Sequence, residues 1–201
     1  MKLVLATSNK GKVREIQALC EDYEVIPYSE LINEFEIIED ADSFQGNALL
    51  KANAVYEALK KESFFKNTDI TVIADDSGIS VDVLDGKPGI YSARYGGENA
   101  DDKDNLYKLM KDIKDRGVES SPAHYTAAIA IVNVNTQKSV HGWMYGVALT
   151  KARGEGGFGY DPMFIPEGYN QTLAELDESV KKELSHRSKA LRLAKILMKN
   201  L

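Results

Sequence analysis

Apolar residues recur along this chain at two periods, and the switches between them predict a run of alternating strands and helices followed by a long hairpin. Lys2 to Ala6 reads as a short buried strand, residues 7–12 (T-S-N-K-G-K) as the polar loop after it, and Val13, Ile16, Leu19 and Cys20 as one face of a helix. Val25 and Ile26 suggest a second strand. Phe44, Ala48, Ala52, Val55 and Leu59 mark a long amphipathic helix with Ser43 as its N-cap. Val72, Ile73 and Ala74 begin a buried strand that Asp75-Asp76-Ser77-Gly78 interrupts, after which Ile79, Val81 and Val83 resume with period two. Turn chemistry at residues 85–89 (D-G-K-P-G) leads into an irregular loop. Leu106, Leu109, Met110 and Ile113 then form a helix, with Asp101 and Asp102 at its positive end and Gly117 closing it.

Two β runs, Tyr125 to Val134 and Ser139 to Leu149, are joined by so short a link that they must form an antiparallel hairpin. Residues 151–171, rich in glycine and proline, read as loop around one short strand, and Thr172 with Glu175 spells a capping box. A last helix starts near Ser185 and buries Ala190, Leu191, Ala194, Leu197 and Met198. Strand-helix units beside a hairpin predict one α/β domain over residues 1–201 with a mixed sheet.

The 201 residues suffice for one well-filled core, and a net charge of -6 disfavours a nucleic-acid polymer or an anionic membrane as partner. An anionic ligand must therefore be small and met by a local cluster of cations. One cysteine, Cys20, excludes an internal disulfide and a multi-thiolate zinc site, and three scattered histidines offer no transition-metal cluster. The apolar run at the N-terminus is too short for a signal peptide and no stretch approaches a membrane span, so a cytoplasmic protein is expected.

Within that picture the Asp75-Asp76 pair stands out. Desolvating a carboxylate costs several kcal/mol unless something compensates, and hard carboxylate oxygens suit Mg²⁺. The competing reading is a plain turn, since Asp, Ser and Gly all favour one. Lys10 and Lys12 at the start of the first helix, and His186 and Arg187 at the start of the last, oppose the helix dipole unless an anion lies there. Paired with the carboxylates, they point to a polyphosphate. Lys51 and Lys181 are further candidates, against the alternative that each is a solvated surface lysine.

Three matches are set aside. Gly154, Gly156 and Gly159 spell G-x-G-x-x-G, but Tyr160-Asp161-Pro162 follows instead of a helix. Residues 11–13 (G-K-V) lack the rest of a P-loop. Neither Ser77 nor Ser185 lies in a nucleophile elbow. The segment G-F-G-Y-D-P at 157–162 offers more, either as a rigid turn or as a ligand loop in which Phe158 stacks and Asp161 accepts from ring N–H groups.

Five separated motifs, in one order and spanning nearly the whole chain, resemble the inosine triphosphate pyrophosphatase family: T-S-N-K-G-K, F-x-x-N-A-x-x-K-A at Phe44 to Ala52, A-D-D-S-G with P-G-I-Y-S-A-R-Y, G-F-G-Y-D-P, and S-H-R at 185–187. The resemblance implies an elongated mixed sheet with flanking helices, two lobes around a central cleft, and a homodimer. It implies Mg²⁺-dependent hydrolysis of ITP, dITP and XTP to monophosphate and pyrophosphate. Carried over by residue, Asp76 is the general base and, with Glu39, a metal ligand. Thr7, Ser8, Asn9, Lys10, Gly11, Lys12, Lys51 and Ser77 line the triphosphate channel. Phe158 stacks on the purine within the Gly159-Tyr160-Asp161 loop, while Asp161, Lys181, His186 and Arg187 hold its polar edge. Donors at position 6 of the ring favour hypoxanthine and xanthine over adenine, which carries a donor there itself. Two departures sit beside Glu39: Ala41 where many members carry glycine, and Gly46 where a larger residue is frequent. The rivals are a nucleotide sensor without turnover and a metal-dependent phosphohydrolase of other substrates.

Overall fold

Where strand, polar loop and helix were expected at the N-terminus, the computed structural model, which describes residues 2–62, 65 and 69–199, has β1 (Lys2–Leu5) and α1 (Lys10–Leu19). Asn9 caps α1, its side chain accepting from the N–H groups of Gly11 and Lys12 at 2.9 and 3.1 Å. There follow β2 (Glu24–Pro27), α2 (Phe44–Lys61) capped by Ser43, and β3 (Thr71–Val81). Next come α3 (Asp102–Asp115), β4 (Ser120–Val132), β5 (Gln137–Leu149), β6 (Phe164–Pro166), the short α4 (Glu178–Leu184) and α5 (His186–Met198). The strands make one mixed sheet in the order β2-β1-β3-β4-β5-β6. β1 pairs parallel with β2 and β3, and β5 antiparallel with β6. The expected hairpin joins β4 and β5, its turn closed by the Asn133 N–H donating to the Thr136 carbonyl at 2.9 Å. Among the described residues no helix is long and apolar enough to cross a membrane, and Cys20 is a buried free thiol.

Two expectations fail here. The D-D-S-G segment is not a turn: β3 runs through it without a break for 11 residues. Turn propensity is a local preference, and here a central strand with both faces buried overrides it. The Thr172–Glu175 box caps no helix. The Thr172 N–H donates to the Glu175 carboxylate at 2.8 Å and its hydroxyl donates to the Arg153 carbonyl at 2.8 Å, so the motif closes a turn and ties two loops together.

The chain divides into two compact units. The first comprises Met1–Asp76, Ala127–Gly142 and Arg187–Leu201. Because side chains alternate along a strand, its strands feed two cores. Leu3, Leu5, Ile73, Ala127, Ile129 and Ile131 pack with Ile16 of α1 and Ala190, Leu191 and Ala194 of α5. Val4, Ala6, Val72, Ala74, Ala128 and Ala130 pack with Ala48, Ala52, Val55 and Leu59 of α2. The second unit, Ser77–Thr126 with Trp143–His186, is built on Ile79, Val81, Leu106, Leu109, Ile113, Tyr125, Met163 and Phe164.

Candidate active site

The chain leaves β1 through α1 to β2 on one side and returns through α2 to β3 on the other, so strand order reverses between β1 and β3. Ligands in parallel sheets gather beyond the carboxyl ends of strands flanking such a reversal. Leu5 pairs with Ile73 and the Ala6 N–H donates to the Ile73 carbonyl at 2.8 Å. The loop Thr7–Asn9 therefore emerges beside Asp75 and Asp76. Thr7 and Asn9 hold the loop's shape, the Asn9 N–H donating to Thr7 Oγ1 at 3.2 Å, while Ser8, Asn9 and Lys10 are exposed.

Strand alternation sends the two carboxylates to opposite faces of the sheet. Asp75 follows Ile73 toward α1 and α5, where its side chain is fully buried. Lys12 Nζ lies 2.8 Å from Asp75 Oδ2, and Arg187 donates from Nε and Nη2 to the same carboxylate at 3.2 and 3.3 Å. A further Arg187 N–H donates to Glu15, one helical turn from Lys12. Burial works against an ionised Asp75, yet Arg187 and Lys12 outweigh it and hold the carboxyl far below the usual carboxylate range.

Asp76 follows Ala74 toward α2. There Lys51 Nζ sits 2.9 Å from Asp76 Oδ1 and 2.7 Å from Glu39 Oε2. Lys51 is no solvated lysine. It shares the buried face of α2 with Asn47, Ala48, Ala52 and Val55, and only 8% of it is exposed. Burial alone would lower its pKa, but the Asp76 and Glu39 carboxylates raise it above the usual value. Burial raises the Asp76 carboxyl, and the Lys51 ammonium, shared with Glu39, together with the field of Lys12 does not reverse that. Asp76 Oδ2 is buried with no hydrogen-bond partner, an expensive state for a carboxylate oxygen.

That orphaned oxygen tests whether a metal fits. Two hard carboxylates converge on one cation and carry one negative charge beyond it. Among the described residues no group of three or more His, Cys, Asp or Glu side chains could hold a metal. The donor set matches Mg²⁺, which takes one or two carboxylates and leaves its remaining positions to water and phosphate.

Glu39 lies on a coil segment tied down by Asn47, whose Oδ1 accepts from the Ala41 N–H at 3.0 Å. The two departures from the family pattern explain each other. A Cβ on Gly46 would lie 2.5 Å from the Ala41 Cβ, so the methyl at 41 fills the space that a side chain at 46 would need.

In the second unit Phe158 is 49% exposed while Tyr160 is buried, its hydroxyl donating to the Ser92 carbonyl at 2.7 Å. The Phe158 N–H donates to Asp161 Oδ2 at 3.2 Å, and the Gly159 N–H donates to Asp102 at 3.2 Å. A Cβ on Gly157, at φ +78°, would fall 2.0 Å from Asp161 Oδ2, so only glycine allows that carboxylate its place. Lys181 Nζ lies 2.9 Å from Glu178 and 4.0 Å from Asp161, with only 12% of its side chain exposed. His186 is buried and stacks on Tyr125, ring centroids 4.8 Å apart at 17°. Ser77 is half-buried in β3. The glycines of the rejected dinucleotide motif serve packing: a Cβ on Gly154 or Gly156 would meet the Ala174 backbone at 2.7 or 2.8 Å.

The first unit thus brings together Lys12, Glu39, Lys51, Asp75, Asp76 and Arg187, and the second brings together Phe158, Asp161 and Lys181. Arg187, expected at a purine edge, is placed against Asp75 and Glu15. Glu15 and Tyr125 went unread. Glu15 was findable as the i+3 neighbour of Lys12, whereas Tyr125 stands far from His186 in sequence.

A family model described as the Ham1 family matches residues 3–196. The chain is 65% identical over 201 residues to a dITP/XTP pyrophosphatase of Sulfurimonas denitrificans, covering 100% of both chains. It is 56% identical over 201 residues to one of Sulfurovum sp., covering 100% of this chain and 95% of the relative. The solved structure of the Staphylococcus aureus Ham1 protein superposes with a TM-score of 0.84 at 36% identity, covering 100% of this chain and 99% of that one. The Coxiella burnetii HAM1 protein superposes with a TM-score of 0.83 at 31% identity, covering 100% of both. Five separated motifs, the α/β fold that carries them and these full-length matches converge on one assignment: the chain belongs to the Ham1 family.

Proposed function

We propose that this chain is a nucleoside triphosphate pyrophosphatase that hydrolyses deaminated purine nucleotides, dITP, ITP and XTP, to the monophosphate and pyrophosphate. The observation that carries the reading is Asp76, a buried carboxylate with one oxygen on Lys51 and the other unpartnered. The groups around it suit phosphoryl transfer, where positioning and charge neutralisation do most of the work. Its raised affinity for protons suits it to take one from a water molecule as that water attacks the α-phosphorus. The bond from the α-phosphorus to the bridging oxygen breaks, and pyrophosphate leaves with the electron pair. Lys12, Lys51 and the positive end of the α1 dipole offset phosphate charge. Glu39 and Asp76 would hold Mg²⁺, which when bound neutralises the phosphate oxygens and polarises the reacting centre.

In the second unit Phe158 offers a face for the purine, while Lys181 and His186 supply donors for the oxygen at position 6. Arg187 contributes by fixing Asp75. A homodimer in the cytoplasm belongs to the same proposal. Exposed Trp143, Tyr145 and Val147, alternate positions of β5, offer an apolar surface for a second copy.

The test is to incubate the protein with Mg²⁺ and a panel of nucleoside triphosphates and measure pyrophosphate and orthophosphate separately. Pyrophosphate from dITP, ITP and XTP well ahead of ATP is expected, with Asp76→Asn lowering kcat by about 10²-fold or more. Binding without turnover would favour a sensor. Orthophosphate as first product, ATP as preferred substrate, or a fully active Asp76→Asn would overturn the reading.

A further inference from the structure

We propose that Lys51 is a placeholder for the divalent cation, holding Glu39 and Asp76 together until a triphosphate draws its ammonium away, so that metal and nucleotide bind as one event. The inference rests on the reading of Glu39 and Asp76 as metal ligands. Lys51 lies on the buried face of α2 and reaches both carboxylates at once, 2.7 Å to Glu39 Oε2 and 2.9 Å to Asp76 Oδ1. A buried lysine needs such partners, and a buried carboxylate pair needs such a cation. The sharing is incomplete, because Asp76 Oδ2 keeps no hydrogen bond.

A divalent cation that engages these oxygens competes with the ammonium for them. Mg²⁺ holds oxygen at about 2.1 Å and tolerates little departure from its preferred geometry. A lysine 8% exposed cannot simply swing into water, so a metal arriving alone must strand an ammonium in a buried place. A triphosphate changes that balance. Its oxygens are acceptors for the three N–H groups of Lys51, and the lysine's flexible four-carbon stem lets the ammonium follow them. Glu39 and Asp76 are then left to the metal. The wild-type protein should consequently bind free divalent metal poorly.

The experiment titrates Mn²⁺ alone, without nucleotide, into the full chain and reads free Mn²⁺ by electron paramagnetic resonance. Lys51→Met keeps the stem and removes the charge, and Lys51→Gln serves as the second variant should the first fail to fold. Either is expected to bind Mn²⁺ at least about tenfold more tightly than wild type, and adding Asp76→Asn should abolish the gain. Equal or weaker Mn²⁺ binding by both folded variants would overturn the placeholder role. An inactive Asp76→Asn alongside that result would leave the catalytic reading standing, so the two failures are separable.

Discussion

Removing the guanidinium of Arg187 while keeping its bulk, as in Arg187→Met, should destabilise the fold far more than loss of a surface ion pair. Asp75 is fully buried and Arg187 is 3% exposed, and three hydrogen bonds that Arg187 donates are lost, two to Asp75 and one to Glu15. Breaking a buried pair by deleting one member costs about 3–5 kcal/mol, because the other charge is left uncompensated. Lys12 stays 2.8 Å from Asp75, which places the expected loss near the lower end, about 3 kcal/mol. For a chain of this length that corresponds to a Tm lowered by about 6–12 °C.

Thermal and urea denaturation followed by circular dichroism measure the loss. The control is Asp75→Val with Arg187→Met. It removes both buried charges and leaves Lys12 and Glu15, whose side chains are 19% and 24% exposed and can reach water. It should recover about 2 kcal/mol of the single-variant loss, the coupling expected of groups in contact. The pH dependence has a definite sign. Asp75 is held well below its ordinary value, so its contribution is complete above about pH 4 and is lost as pH falls toward the folded-state value. The gap between wild type and Arg187→Met should stay constant from about pH 8 to pH 5 and narrow below about pH 4. A single-variant loss under about 1 kcal/mol, as at an exposed pair, or strict additivity in the double variant, would refute the reasoning.

Two other substitutions probe the remaining constellations. Phe158→Ala should raise KM for ITP by roughly 10-fold with kcat nearly unchanged, the scale of one lost base stack, as steady-state kinetics would show; an unchanged KM removes Phe158 from base binding. Gly46→Ala should lower stability by about 1–3 kcal/mol through overpacking against the Ala41 Cβ at 2.5 Å, with Ala41→Gly restoring it in a denaturation assay.

Much of the fold was legible because it is local. The 3.6 and 2.0 periods located β1, α1, β2, α2, α3, β4, β5 and α5, and Ser43, Asp101 and Gly117 marked their ends. What escaped was decided by partners distant in sequence. Turn-favouring residues at 75–78 continue a strand whose pairing with β1 ends at Ile73, where ion pairs to Asp75 and Asp76 from α1, α2 and α5 outweigh their propensity. Lys51 reads from the sequence as a candidate set against a solvated surface lysine, although its spacing from Ala48 and Val55 puts it on the apolar face of α2, a conflict that signals a buried partner. Its partners were not visible, since Glu39 stands on coil 12 residues away and Asp76 stands 25 residues away. Arg187 was legible as a cation at a helix start, but 112 residues separate it from Asp75.

Two adjacent aspartates invite a reading as one site with one purpose, and strand geometry argues against it. Successive side chains on β3 point to opposite faces of the sheet, so Asp75 meets Lys12 and Arg187 while Asp76 meets Lys51. Asp75 has two cations in contact and is a satisfied buried anion. Asp76 shares one cation with Glu39 and keeps an oxygen unpartnered. The imbalance is why the proposed base is Asp76 and not Asp75, although both lie beside the same strand end. A strand here performs what a turn would not: it separates two like charges by the thickness of the sheet while holding both at fixed register to β1. Slipping β3 by one residue would exchange the faces, handing Asp76 to the closed ion cluster and Asp75 to Lys51. The ion pairs themselves, Lys12 and Arg187 on one face and Lys51 on the other, hold the strand against that slip.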